Sequence, residues 1–296
     1  MRSQVIGVAS TCLIDGLRSE DHMSGLTSRR DILIGLSVAL AWFRFDPAEG
    51  ASQISTAPAD VVAGLAPNGK LRAAINLGNA VLAQRNPKSG IVRGVIVDMS
   101  NELARRLGTP VEFIYYDTGG KIAPSQPMDR WSVAFLGTEQ SRVANFDVTE
   151  PYLTLDGTYL VRENSRFRSV GDLDQDGVRI ATALNSAYDL ELSRMLKHAK
   201  LVRAPTSEAA IELFEHEGLD AAAGVRQALA EAQKNSKGLR VLPDAYTHID
   251  QAVTIPRGHD PALQYLQAFV ADLKASGFIQ TSLDRSGQSA EIVKSK

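Results

Sequence analysis

Short apolar runs of strand length alternate with amphipathic stretches of helix length over most of this 296-residue chain. Residues 70–77 and 111–116 are apolar runs that predict buried strands. Between them, residues 99–107 place their apolar side chains on one helical face, and Asp98 stands where a capping residue belongs. The pattern therefore predicts a strand, helix, strand unit in which Asp98 caps the helix and has no ligand role.

The same alternation continues through the second half of the chain. Strands are predicted at 179–184, 201–203, 219–224 and 239–242, and helices at 187–200, 206–217, 227–234 and 261–276. Residues 157–161 and 251–255 are extended segments between the two groups, so we expect each to cross from one lobe to the other. Two crossings form a hinge, which leaves a cleft that closes on a ligand. The predicted fold class is therefore α/β, with two lobes, a double-crossover hinge and an interlobe cleft.

The predicted domain organisation follows from these crossings. Residues 69–160 form the first part of lobe 1, residues 161–249 form lobe 2, and residues 250–296 form the return crossing and complete lobe 1. Residues 60–65 are expected to be a surface lead-in to the folded body.

The N-terminal region carries the features of an export signal. Arg29 and Arg30 precede the apolar run 32–43, which is shorter than the ~20 residues needed to cross a bilayer. A twin arginine followed by a short apolar stretch and small residues is typical of a twin-arginine signal peptide. We therefore predict that residues 1–50 are a leader, that cleavage falls near Ala51, and that the mature protein is periplasmic.

Two alternatives stay open in this region. The apolar run is also compatible with a buried or amphipathic N-terminal helix, because Arg44, Asp46 and Glu49 make the flank after it unusually charged. Residues 1–22 show no clear patterning, so the start codon is either Met1 or Met23.

Composition narrows the classes of function. A net charge of -2 argues against a nucleic-acid partner, which normally requires a basic face. The single cysteine, Cys12, lies in the predicted leader, which excludes disulfides, cysteine metal sites and a cysteine nucleophile from the rest of the chain. The five histidines are not spaced as metal pairs, and no phosphate-binding or dinucleotide motif follows the leader. We therefore predict no catalytic residue, no metal and no cofactor.

Residues 172–177 imitate the first half of a calcium-binding loop. Asp172, Asp174 and Asp176 have the spacing of its first three ligands, but the twelfth position is Ala183 and lacks the bidentate carboxylate. The sequence therefore favours a polar turn before a strand.

One arginine stands in a setting that suits ligand binding. Arg142 follows the turn formed by Gly137 and Thr138, and it precedes by six residues the segment 148–152, which ends in Pro-Tyr. A guanidinium placed there suits two parallel hydrogen bonds to a ligand carboxylate. An isolated arginine is also commonly a solvated or ion-paired surface residue, and the sequence alone leaves this alternative open.

With these motifs the chain resembles the bacterial solute-binding proteins of family 3, the periplasmic receptors of polar amino acid transporters. Their equivalent segment has the pattern Thr-x-x-Arg, five residues, then Phe-Ser-x-Pro-Tyr. They also typically carry Gly-x-x-x-Asp before a helix that ends in Leu-Gly, as at Gly94, Asp98 and residues 107–108 here. The resemblance covers residues 69–286 and implies a periplasmic-binding-protein-like fold. It further implies a monomer that binds a small carboxylate-bearing solute, an amino acid or related organic acid, and delivers it to a membrane ABC permease without chemistry.

The resemblance also implies a ligand site with contributions from both lobes. Arg142 would bind the carboxylate, backbone and hydroxyl donors would come from the turn before it, and a helix N-terminus in lobe 2 would add N–H groups. The implied set is Arg142, Gly137, Thr138, Asn185, Ser186, Val225 and Arg226.

Two departures from the family pattern bear on specificity. The ligand-binding Ser or Thr five residues before the arginine is Gly137 here, and the Asp that pairs with the ligand's α-amino group is Val225. The aromatic residue that often stacks on the ligand is also missing from the loop 76–81. We therefore expect a ligand that lacks an α-ammonium group or uses another partner. Arg226, if it turns inward, would favour a second acidic group, as in keto or dicarboxylic acids.

Two other functions stay open. Some relatives with this fold are periplasmic dehydratases that act on prephenate or arogenate, but such an enzyme needs an acid-base carboxylate in the cleft. The corresponding strand offers Val225 and Arg226, with Glu231 further along a helix. The other alternative is a ligand-sensing module that has lost transport and binds a receptor ectodomain.

Overall fold

The computed structural model describes residues 57–125 and 130–294. The predicted leader 1–50, with its twin arginine and the cleavage point near Ala51, lies outside the described residues. Among the residues that are described, no helix has the length and apolar character needed to span a bilayer.

The helices and strands follow the predicted alternation along the chain. The helices are α1 Ala59–Leu65, α2 Val95–Leu107, α3 Gly119–Ile122, α4 Gln140–Val143, α5 Ala187–Met195, α6 Ser207–His216, α7 Arg226–Asn235, α8 Asp260–Ala275 and α9 Phe278–Ser286. The strands are β1 Leu71–Asn76, β2 Gln84–Arg85, β3 Val92–Arg93, β4 Val111–Tyr116, β5 Val133–Gly137, β6 Phe146–Val148, β7 Leu153–Arg162, β8 Arg179–Ala183, β9 Lys200–Ala204, β10 Ala221–Val225, β11 Leu239–Val241, β12 Thr247–Pro256 and β13 Glu291–Ile292. Two 3₁₀ turns lie at Ala123–Ser125 and Val170–Leu173.

One curled sheet runs through the molecule in the strand order β4-β1-β5-β12-β7-β10-β8-β9. Strands β4, β1 and β5 are parallel and form lobe 1, whereas β10, β8 and β9 are parallel and form lobe 2. The long strands β7 and β12 pair with each other in antiparallel fashion. Strand β12 also pairs with β5 of lobe 1, and β7 also pairs with β10 of lobe 2. The predicted two-lobe α/β fold with two crossing strands is therefore confirmed.

Burial on both faces of the parallel strands explains their nearly continuous apolar character. In β1, Ala73, Ala74 and Ile75 are fully buried, and all five residues of β10 are buried. Helix α2 covers the lobe 1 sheet with a face that includes the fully buried Met99 and Leu103, each contributing roughly 1.5–3 kcal/mol from burial.

Three predicted boundaries differ from the structure. Helix α2 begins at Val95 because the short apolar run before Met99 is its first turn, and such a run does not distinguish strand from helix. Asp98 therefore lies inside the helix and does not cap it. Its carboxylate instead accepts hydrogen bonds from Ser282 and, at 2.9 Å, from Arg285 of α9. The expected lead-in is helix α1, which buries Val61 and Leu65 against α8.

The third difference is the end of α5 at Met195 instead of residue 200. Asp174 accepts hydrogen bonds from the backbone N–H groups of Lys197, His198 and Ala199 at 3.0, 2.7 and 3.0 Å, which holds these residues in an extended turn. The bonds from Ala199, His198 and Lys197 lower the pKa of Asp174 below its ordinary value. Asp174, one of the three acids that imitate a calcium loop, therefore stabilises the turn that follows α5.

Candidate functional site

A small cavity lies between the lobes at the carboxyl ends of the parallel strands, where open α/β sheets usually bind ligands. We call it the cleft cavity; its volume is about 50 Å³, enough for a few water molecules. Lobe 1 lines it with residues at and after the ends of β1 and β5 and with residues after β4. Lobe 2 lines it from the end of β10 and from α5, α6 and α7. The polar lining residues are Asn76, Asn79, Thr118, Arg142, Ser186, Tyr188, Ser207 and Gln251.

Arg142 projects from the short helix α4 and contacts both lobes. Its side chain is buried, and its Nη1 lies 2.8 Å from Oε2 of Glu139, one helical turn earlier. Its Nη2 donates a 3.2 Å hydrogen bond to the carbonyl oxygen of Asn185 in lobe 2. Among the described residues that line the cleft cavity, Arg142 alone carries a charge. The cavity can therefore offer a fixed positive group to a ligand.

The Glu139 carboxylate occupies space that Gly137 leaves open. A Cβ atom at Gly137 would lie 2.1 Å from Oε1 of Glu139, so no larger residue fits there without moving the carboxylate. Both oxygens are buried, and neither accepts a hydrogen bond from any residue in the described parts of the chain. The contact with Arg142 is close enough for charge attraction but lacks the alignment of a hydrogen bond.

Glu139 is not among the site residues predicted from the sequence. The available signal was its position three residues before the arginine, where the family pattern has Thr. That spacing puts both side chains on one face of a helical turn.

On the lobe 2 side, Ser186 lines the cavity, and the preceding residue Asn185 lies beside it in an adjoining groove. Asn185 has φ 58°, and its N–H donates a 2.9 Å bond to Asp189, which itself accepts from Arg203 at 2.9 Å. Ser186 caps α5 by accepting the N–H of Asp189 at 3.1 Å. Gly120 of lobe 1 packs directly on Asn185, since a Cβ there would lie 2.7 Å from the Asn185 Cβ.

Tyr188 adds an aromatic wall to the cavity from lobe 2. Its hydroxyl lies 2.8 Å from the Ser207 hydroxyl, and burial raises its pKa above the ordinary value, so the phenol stays neutral at pH 7. Ser207 Oγ also donates a 3.2 Å bond to the carbonyl oxygen of Gly78 in lobe 1. The lobes therefore meet through direct polar contacts on two sides of the cavity.

Arg226 does not turn inward as the sequence analysis allowed. Val225, at the end of β10, lines the cleft cavity, but the Arg226 side chain lies away from it. Its Nε donates to Asp156 at 3.1 Å, and its terminal nitrogens donate to the carbonyl oxygens of Leu242 and Asp244, each at 2.9 Å. Successive residues at a strand end face opposite sides of the sheet. The Val225 side chain therefore faces the cavity, and the Arg226 side chain packs on the opposite side.

The seven predicted residues therefore separate into four groups. Gly137, Arg142, Ser186 and Val225 line the cleft cavity together. Thr138 lines an adjoining groove of about 750 Å³. Its N–H donates a 2.9 Å hydrogen bond to the carbonyl oxygen of Asp250. Asn185 lines a second adjoining groove of about 610 Å³, and Arg226 lines none of the three. No cluster of three or more potential metal ligands occurs in ranges 57–125 and 130–294.

Several solved structures share this fold. The chain is similar to an amino acid ABC transporter substrate-binding protein from Streptococcus pneumoniae bound to L-arginine, at 18% identity and a TM-score of 0.67, over 79% of this chain and 99% of the other. It is similar to a putative binding component of an ABC transporter from Wolinella succinogenes complexed with lysine, at 22% identity and a TM-score of 0.66, over 74% and 95%. It is also similar to an ancestral amino acid-binding protein described as a precursor of cyclohexadienyl dehydratase, at 20% identity and a TM-score of 0.65, over 76% and 97%.

A comparison with family models identifies the family, whereas the comparison with curated proteins found no match. The family model for bacterial extracellular solute-binding proteins, family 3, matches residues 72–287, which is most of the chain. The protein therefore belongs to the bacterial extracellular solute-binding proteins of family 3.

Proposed function

We propose that this protein is the exported substrate-binding component of an ABC transporter, and that it captures a small carboxylate-bearing solute in the cleft cavity for uptake. The observation that supports this most is the placement of Arg142. It is a buried guanidinium, it faces the cavity, and it bonds to lobe 2 as well as lobe 1. The proposed partners are the small ligand and a membrane ABC permease, and the proposed oligomeric state is a monomer.

Ligand binding would couple to closure because both lobes contribute donors. Arg142 on lobe 1 would donate to the ligand carboxylate, while Ser186 and the N–H groups at the start of α5 lie on the lobe 2 side of the same cavity. A ligand bound by both sides has more contacts in the closed arrangement than in an open one, and this difference shifts the population toward closure. A cavity of about 50 Å³ requires the lobes to open before an amino acid can enter.

We propose a binding protein and not a dehydratase, although one similar structure is described as a dehydratase precursor. An acid-base carboxylate has to reach the substrate. Among the described residues that line the cleft cavity there is no Asp or Glu. Prephenate and arogenate incubated with the purified protein are therefore expected to remain unconverted, and turnover would contradict the binding role.

A thermal-shift screen tests the proposed function. The panel contains amino acids, keto acids and dicarboxylic acids, and the readout is the free energy of unfolding. A ligand present at about 100 times its dissociation constant adds about 2.7 kcal/mol. At least one carboxylate is expected to stabilise the wild type and not a folded Arg142→Ala variant. Stabilisation by carboxylates that survives in Arg142→Ala would show that the site lies elsewhere.

A further inference from the structure

The turn that leads into α5 has an unusual backbone conformation at Asn185. Among the described residues other than glycine, Asn185 alone has a positive φ, at 58°. Residues with a side chain rarely adopt this left-handed conformation, because the Cβ atom comes too close to the following carbonyl oxygen. The turn therefore depends on contacts that hold it in this conformation.

Asp189, in the first turn of α5, supplies those contacts. Oδ2 of its carboxylate accepts a 2.9 Å hydrogen bond from the N–H of Asn185. Its own N–H donates a 3.1 Å bond to the hydroxyl of Ser186, the residue that caps the helix. This reciprocal pair resembles a capping box, in which a side chain of the first helical turn accepts a backbone N–H from the residue at the helix start. Asp189 therefore fixes the direction in which the chain enters α5.

The Asp189 carboxylate is itself oriented by Arg203 of β9. Asp189 is 2% exposed, and Nε of Arg203 donates to its Oδ1 at 2.9 Å and to its Oδ2 at 3.2 Å. A buried carboxylate without a counter-charge is costly, and at this end of α5 its charge would also repel an anionic ligand. Arg203 neutralises that charge. Neither Asp189 nor Arg203 lines the cleft cavity.

The conformation of this turn determines two features of the cleft cavity. The carbonyl oxygen of Asn185 accepts the 3.2 Å bond from Nη2 of Arg142, and the next residue, Ser186, lines the cavity. A rotated turn would release one side of the guanidinium and would turn the N–H groups at the start of α5 away from a bound carboxylate. Groups that contact a ligand bind it well only when their neighbours hold them in the productive geometry.

We infer that Asp189 is a positioning residue for ligand binding, and that it acts through Asn185 on Arg142 and on the start of α5. This inference rests on the proposed function and adds to it a residue outside the lining of the cavity. Arg203 belongs to the same arrangement, because it orients and neutralises the Asp189 carboxylate.

Calorimetry of an Asp189→Asn variant tests the inference. The probes are the standard L-amino acids, their keto acid analogues and succinate, and each probe that binds the wild type is used. The substitution keeps the shape of the side chain, but its amide nitrogen would face a donor in either orientation, the N–H of Asn185 or the guanidinium of Arg203. Affinity is expected to fall about tenfold.

The same substitution in an Asn185→Gly background separates positioning from general support of the helix. Glycine adopts a positive φ without a steric cost, so the turn then depends less on Asp189. Asp189→Asn should weaken binding by less than about threefold in this background, because the two residues act as one unit. Asp220→Asn is the matched control, with no change expected. Asp220 also accepts a lobe 2 backbone N–H, that of Arg179 at 2.8 Å, but it does not line the cavity.

Several outcomes would overturn the inference, with melting temperatures confirming that each variant is folded. Equal losses in the wild-type and Asn185→Gly backgrounds would show that Asp189 only stabilises α5. Unchanged affinity in Asp189→Asn, or an equal loss in Asp220→Asn, would also contradict the positioning role. These results would leave the proposed function intact, because the wild type still binds its ligand. Failure of every probe to bind the wild type would overturn the proposed function and the inference together.

Discussion

The carbonyl oxygen of Asn185 accepts a 3.2 Å hydrogen bond from Nη2 of Arg142, so the arginine at the centre of the cleft joins the two lobes directly. Asn185 has φ 58°, a conformation that is uncommon for residues other than glycine, and the bond from its N–H to Asp189 supports it. The two residues therefore form part of the surface on which the lobes meet, and changes there should alter closure.

Closure should be sensitive to the size of residue 120. In Gly120→Ala, the new Cβ would lie 2.7 Å from the Asn185 Cβ and 2.8 Å from its carbonyl oxygen, so the lobes have to separate slightly. Ligand affinity should fall by about tenfold, the consequence of overpacking a close contact. Small-angle scattering with saturating ligand should show a larger radius of gyration than for the wild type. Gly171→Ala, with no close contact around its Cβ, is the control, and equal affinity of both variants would contradict the assigned contact.

Acid stability should depend on Glu102. It accepts hydrogen bonds from Arg105 and Arg106, each at 2.8 Å, and the Arg105 bond is the main cause that lowers the pKa of Glu102 to about 2. A carboxyl with a lowered folded-state pKa stabilises the protein above its ordinary pKa, and that stability is lost as the pH falls toward the folded-state value.

The measurement is the free energy of unfolding as a function of pH. Glu102→Gln should remove about 1–3 kcal/mol at pH 7, a value reduced because Arg105 is largely exposed. The wild type should approach the variant between pH 4.5, the ordinary value, and about 2. Glu112→Gln is the control, because its contacts with Lys70 and Arg72 are 3.8 and 3.9 Å long. A constant difference between wild type and Glu102→Gln across this range would contradict the assignment.

Export provides a prediction from the sequence alone. Replacement of both Arg29 and Arg30 by lysine should hold the precursor in the cytoplasm, because twin-arginine signals require the pair. N-terminal sequencing of the exported wild type should begin near Ala51. Efficient export of the double lysine variant would remove the twin-arginine hypothesis.

Most of the fold could be predicted because apolar periodicity follows burial. The crossings at β7 and β12 and the parallel units of both lobes correspond to runs visible in the sequence. The start of α2 could not be predicted, since residues 95–97 are apolar on every side and satisfy strand and helix equally.

The site was less accessible to sequence reasoning because it depends on which way side chains face. Arg142 was predicted from its local motif and the family pattern, and the structure places it in the lining of the cleft cavity. The outward direction of Arg226 depends on acceptors in Asp156, Leu242 and Asp244, which are distant in sequence. The burial of Glu139 depends on the space left by Gly137, a relationship that only the folded backbone reveals.

Calorimetry of Arg142 variants tests the central claim most directly, with the carboxylate ligand identified by the thermal-shift screen. Removal of one partner from a buried charge pair costs on the order of 2–5 kcal/mol, so Arg142→Ala should bind roughly thirtyfold more weakly or worse. Arg142→Lys keeps the charge beside Glu139 but loses the planar fork, and it should also bind more weakly than the wild type. An unchanged dissociation constant in a folded Arg142→Ala variant would contradict the proposed site.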